Sequence, residues 1–227
     1  NQGVDVETKP PKIAYHETIM GQAEGHYRHK KQSGGAGQFG EVKLRVEPLE
    51  RGAGFEFVDK IVGGVIPKGF MPAIEKGVRD IMRQGVVAGY PIEDVRVTVF
   101  DGKTHSVDSK EIAFRTAGKF AFKDAFLKAS PQILEPIVNI EVMTPGDSVG
   151  AITGDLSSRR GRVVGTDMMS SGAAVVKASV PLADMMDYEP TLKSMTKGRG
   201  SFTMELSHYD AVPERIAQDL VTKHDSN

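Results

Sequence analysis

The sequence predicts an α+β protein built as two domains, and three observations carry that prediction. At 227 residues the chain is long enough for two ordinary domains, each burying a core of its own. Strand-type alternation and helix-type periodicity recur throughout, and the order in which they succeed one another changes near Ser130 to Ile133. Hydrophobic residues make up 39% and charged residues 26% of the chain, a balance that excludes disordered and fibrous classes.

Element by element, the chain opens on NQGVDVETKPPK, a polar stretch read as a connector over residues 1–12. Because it begins with Asn1 rather than Met, a piece of a longer protein is expected. The first domain is placed at 13–132. Val42, Leu44 and Val46 alternate with charged residues in EVKLRVE, as a half-buried strand requires. Phe55, Phe57 and Ile61 suggest a second strand, and Val95, Val97 and Val99 a third. Between these, Pro72 suits a first helical turn, and Ile74, Val78, Ile81 and Met82 form one apolar face. A longer helix follows Asp108, with Glu111 at capping-box spacing and Ala113, Phe114, Ala117, Phe120, Ala121 and Phe126 as its inner side.

The second domain is placed at 133–227. Val138, Ile140 and Val142 mark a strand; Val149, Ile152 and Leu156 a helix; Arg162 to Gly165 a short strand; and Ala174 to Val180 another. Leu182 to Lys193 reads as a helix, and Phe202, Met204 and Leu206 as a last strand. This β-α-β-β-α-β order is the ferredoxin-like plan. Pro213 to His224 reads as an added helix of the same domain.

Composition also narrows the chemistry. No apolar run is long enough to span a bilayer, and the first thirty residues lack signal-peptide regions, so a cytoplasmic protein without membrane partners is expected. The absence of cysteine excludes disulfides and thiolate metal sites, and no metal site is expected from the six histidines. The net charge of -1 predicts no nucleic-acid binding by bulk charge alone.

Local segments say more. In KQSGGAGQFGEV, four glycines fall between Gly34 and Gly40, a density suited to positive φ angles or close approach to a ligand. A strand pattern follows instead of Lys-Ser or Lys-Thr and a helix, so this is no phosphate-binding P-loop. The preceding GHYRHKKQ would place His26, Arg28 and Lys30 on one strand face and Tyr27, His29 and Lys31 on the other, a polar projection or a docking strand. A second polar loop, DGKTHSVDSKE, carries His105 without a neighbouring nucleophile or carboxylate pair, so it reads as a solvated loop histidine or, since that role needs no catalytic partner, as a hydrogen-bond donor to RNA, rather than as an acid or base catalyst. Arg159, Arg160 and Arg162 cluster at a helix-to-strand turn, and Lys197 and Arg199 stand beside glycines; each is either a phosphate contact or a solvated turn.

SGGAGQFG, GGVIPKGFMPAIEKG, AGYPIEDV, HSVDSKEIAF, LEPIVNIEV, GDLSSRRG and SMTKGRGSFTMEL stand in the order and spacing of the C-terminal half of bacterial elongation factor G, and the sequence resembles that family from about Ile13 to beyond Tyr209. The resemblance implies a ribosomal-protein-like βαβ fourth domain with a left-handed crossover, followed by a ferredoxin-like fifth domain. It further implies a tip of two loops, Ser33 to Gly40 and Thr104 to Ser109, in which Ser33, Gly34, Gly35, Ala36, Gly37, Gln38, Phe39 and Gly40 with His105, Ser106 and Asp108 enter the decoding centre beside the tRNA–mRNA pair. Arg28, Lys30, Lys31, Arg159, Arg160, Lys197 and Arg199 are weaker ribosomal RNA candidates, and stalk-base proteins are implied partners of the fifth domain. Two departures stand out: Ala36 replaces the usual arginine, and SVDSKE replaces the commoner DVDSSE.

On this reading the fragment is a monomer without catalytic residues or cofactor, and GTP and magnesium belong only to the full-length parent. Two alternatives remain: a ribosome-protection or stress paralogue using the same domains, and a small-molecule kinase of similar fold.

Overall fold

A computed structural model describes residues 12–32 and 34–227. Ser33 and most of the expected connector therefore lie outside the described residues. Compact packing divides the chain into two units, Tyr15–Leu134 with Ala211–Asn227, and Glu135–Asp210.

The first unit is a four-stranded sheet covered on one face by two helices. Its strands are β2 (Ala23–Lys31), β3 (Gln38–Pro48), β4 (Phe55–Asp59) and β5 (Val95–Lys103), in the order β2-β3-β5-β4. A short β1 (His16–Ile19), which the apolar pattern did not reveal, pairs antiparallel with Pro131–Leu134. β2–β3 and β3–β5 are antiparallel, whereas β4 and β5 are parallel across the crossover helix α1 (Met71–Gln84). Ile61 falls beyond the end of β4.

α2 (Glu111–Lys128) lies on the same face, and Phe114, Ala117, Ala121, Phe122, Ala125 and Phe126 bury with Val42, Leu44, Val46, Val97 and Val99. Phe120 stays at the margin, its ring 5.0 Å from that of Tyr27. The anticipated capping box does not form. The N-cap is Lys110 in an extended conformation with no side-chain cap bond, because Asp108 is held in the loop ahead of the helix.

The second unit follows the ferredoxin-like plan. β6 (Pro131–Pro145), α3 (Val149–Ser158), β7 (Arg162–Met168), β8 (Ala173–Pro181), α4 (Tyr188–Thr196) and β9 (Ser201–Ala211) run in sequence, and the strands lie in the order β9-β6-β8-β7. Val138, Ile140, Val142, Val176, Ala178 and Val180 pack beneath Ile152, Leu156, Tyr188 and Leu192. β7 runs three residues beyond its expected end. The single helix expected over Leu182–Lys193 is broken: a 3-10 turn covers Leu182–Met185, and Asp187 at φ 61° separates it from α4. Pro190 thus falls in a first turn, where proline is tolerated. On β9 only Phe202 joins the core, while Met204 and Leu206 are 43% and 60% exposed.

The terminal helix α5 (Glu214–Asp225) departs from the expected division, because it packs with the first unit. Ile216, Ala217, Leu220 and Val221 close over Tyr15, Ala88, Tyr90, Ile133 and Val212, a patch drawn from segments far apart in sequence. No helix among the described residues is long and apolar enough to cross a membrane.

Candidate nucleic-acid interface

At one end of the first sheet the hairpin between β2 and β3 meets the loop between β5 and α2. The glycine segment is that hairpin's turn, and Gly34 at φ 49° uses the conformational freedom its position needs. Gly34, Gly35 and Ala36 are exposed, whereas Gly37, Phe39 and Gly40 are buried where the two loops touch.

Their junction is dense. The Phe39 N–H donates to the Asp108 carbonyl at 2.8 Å. The Ser109 hydroxyl donates to the Phe39 carbonyl at 3.1 Å and accepts the His105 N–H at 2.8 Å. A Cβ at Gly37 would stand 2.9 Å from the Asp108 carboxylate, so any side chain there would have to push that carboxylate aside. The Phe39 ring lies 6.0 Å from the His105 ring and 5.3 Å from the Arg28 guanidinium.

His105 is fixed by its own loop. The N–H groups of Val107 and Asp108 donate to Nδ1 at 3.2 and 3.1 Å, while the Asp108 carboxylate, at 3.6 Å from the same nitrogen, is beyond hydrogen-bond reach. Nδ1 is therefore the acceptor, and the neutral ring carries its hydrogen on Nε2. His105, Ser106 and Val107 are exposed and Asp108 is half-buried. An exposed ring donor on a braced loop can hydrogen-bond a phosphate or a ribose hydroxyl without a catalytic partner.

The remaining candidates separate into two kinds. Arg28, Lys30 and Lys31 are exposed on β2 beside the junction, and Gln38 holds His29 at 3.0 Å. In the second unit Lys197 and Arg199 are exposed in the turn after α4. Arg159 and Arg160 are not presented as free cations, contrary to their reading as phosphate contacts. Arg159 bonds Asp155 at 2.9 Å and the Asp184 carbonyl at 2.9 Å, and its guanidinium covers the Tyr188 ring. Burial first, then Asp155, pushes that phenol up to about 12, so Tyr188 stays neutral beneath the cation. Arg160 grips buried Glu135 with both nitrogens, at 2.7 and 3.0 Å, and also pairs with Asp184.

Sequence reasoning missed one role and one participant. Ser109 ends the expected tip loop Thr104 to Ser109, but nothing in its local sequence marks it as the bolt between loops. The segment after β4 also reaches this end, where the Thr104 hydroxyl donates to the Val65 carbonyl at 2.6 Å.

These two folds in this order define a two-domain α+β module whose candidate site is an exposed loop pair. A family model described as elongation factor G, domain IV, matches residues 11–130, and one described as elongation factor G C-terminus matches residues 132–220; the chain belongs to the elongation factor G family. It is 52% identical over 219 residues to an elongation factor G-like protein of Thermotoga maritima and 53% identical to elongation factor G of Aquifex pyrophilus. Each alignment covers 96% of this chain but only 32% and 31% of the relative, so the chain spans about a third of their length. A crystal structure from Thermus thermophilus superposes with a TM-score of 0.83 at 41% identity, covering 96% of this chain and 32% of the other.

Proposed function

We propose that this chain is the ribosome-engaging C-terminal part of an elongation factor G-type GTPase, and that its tip enters the decoding region to support movement of the tRNA–mRNA pair. The observation that carries this reading is the bolted junction of the Gly34–Gly40 turn and the His105 loop, which turns polar groups outward on a rigid sheet end. Backbone donors, an oriented imidazole and flanking cations suit RNA, which is read through phosphates, 2′-hydroxyls and shape. Family membership supports the ribosome as partner.

The proposed role is mechanical. GTP and magnesium would be held by domains absent from this sequence, which contains no Walker motif. A kinase of similar fold needs its glycine loop to open a helix, whereas here the loop leads into β3. The second unit would face large-subunit RNA and stalk-base proteins through the turn bearing Lys197 and Arg199. The working form is a cytoplasmic monomer. The family match accommodates a protection paralogue equally, and both would share these contacts.

Cosedimentation with purified bacterial 70S ribosomes tests the proposal. Binding should be retained at low salt and weaken steeply from roughly 50 to 200 mM, as expected when counterions are released from phosphates. The purified chain should not turn over GTP. Absence of ribosome binding at low salt, or GTP hydrolysis by the chain alone, would overturn it.

A further inference from the structure

The open face of the first sheet continues from the tip, and its strand register sorts the charges on it. Residues paired across antiparallel strands share a face. One row holds Lys30 beside Phe39, the next Arg28, Glu41 and Lys103, and the third His26, Lys43 and Asp101. The opposite face carries Val42 and Leu44 under α2, so period-two alternation sends the whole cationic series outward.

The balance on this face is uneven. Arg28, Lys30, Lys43 and Lys103 are exposed, and Asp101 pairs with Lys43 at 3.8 Å in the third row from the tip. Glu41 is buried beneath them and hydrogen-bonds His26 at 2.6 Å, while its second carboxylate oxygen has no hydrogen-bond partner among the described residues. Among the described residues no ion pair engages Arg28, Lys30 or Lys103; Arg28 instead leans over Phe39 at the tip. Against the four exposed cations stand Asp101, half-exposed and paired with Lys43, and Glu24, exposed in the following row, while Glu41 lies below the surface, so the exposed charge beside the tip is positive although the sequence as a whole carries a net charge of -1.

We propose that this outer face of β2, β3 and β5 is a second contact surface for the same RNA, carrying its phosphate backbone away from the tip, with Lys103 and Lys43 as phosphate contacts beside Arg28 and Lys30. The proposal rests on the tip facing ribosomal RNA. RNA is the occupant because Lys30, Arg28 and Lys103, without an ion pair among the described residues, stand in the two rows next to the braced tip. Phosphate contacts fix orientation without reading sequence, so the tip would meet its target in one register.

Lys103 gives the cleanest test, since it is exposed and engaged in no ion pair, whereas Arg28 also touches Phe39. Binding to purified 70S ribosomes would be measured across a salt titration for the parent chain, Lys103→Gln, His105→Asn, and Lys123→Gln on the exposed side of α2 as a control. Loss of one phosphate contact lowers the slope of log affinity against log salt by about one unit. Lys103→Gln should show that decrease, His105→Asn a lower affinity with the slope retained, and Lys123→Gln neither. An unchanged slope in Lys103→Gln alongside weakened His105→Asn would overturn this proposal and leave the tip reading intact. No binding by the parent chain would overturn both. Weakening of equal size in Lys103→Gln and Lys123→Gln would also overturn it, because only net charge would then matter.

Discussion

His105 has two separable jobs, and substitution distinguishes them. Nδ1 caps its own loop, and Nε2 is the outward donor. Asparagine can accept the two loop N–H groups but presents no donor at the Nε2 position; glutamine reaches outward but leaves the loop uncapped. His105→Asn should keep the thermal stability of the first unit and weaken ribosome binding about tenfold, the worth of one charge-assisted hydrogen bond. Equal binding by His105→Asn and the parent chain would remove Nε2 from the interface. Glu17 bears on stability instead. Its buried carboxylate accepts the N–H groups of Val86, Val87, Ala88 and Tyr90 at 2.8 to 3.0 Å, closing the loop after α1. Glu17→Ala should destabilise the first unit by about 3 kcal/mol in urea unfolding, because buried donors are left without partners.

Residue types were legible where local sequence carries the reason. Glycine density and an unaccompanied histidine marked the two loops. Roles set by register or distant partners were not: Lys103 joins Arg28 only through β3, and Arg160 is claimed by Glu135, twenty-five positions earlier. Three arginines at a turn look alike whether they await phosphate or already hold carboxylates.

At the scale of elements, the decisive contact is helix on helix. Gly77 of α1 lies against α2, where an added Cβ would overlap the Arg115 carbonyl oxygen. Alanine raises helix propensity by about 1 kcal/mol over glycine, but overpacking costs about 1 to 3 kcal/mol and here meets backbone rather than a flexible side chain. Gly77→Ala should therefore lower the stability of the first unit despite the better helix former, and a raised melting temperature would refute that balance. Periodicity located both helices and the central strands, because alternation and the 3.6-residue repeat report directly on which face is buried. It failed at element ends. Asp108 is recruited by the tip rather than by the helix it precedes, and the left-handed residue Asp187 interrupts a pattern that reads as continuous.

For the molecule as a whole, the two-unit architecture follows from the order of elements, but the place of α5 does not. Its apolar stripe shows that it must pack, not on what, and sequence adjacency suggests the wrong unit. Removing Glu214–Asn227 should lower the unfolding temperature of the first unit, and no change would show that the patch around Tyr90 and Ile133 is stable without its cover. The measurement that bears most directly on function uses the absence of cysteine from the chain. A single Ala36→Cys substitution would carry a short photo-crosslinker at the exposed crest of the glycine turn, with Lys123→Cys as the control. Irradiation on 70S ribosomes should attach Ala36→Cys to small-subunit RNA of the decoding region, and the control to little or none of it. Attachment of both to the same sites, or of Ala36→Cys to protein alone, would contradict a tip that probes RNA.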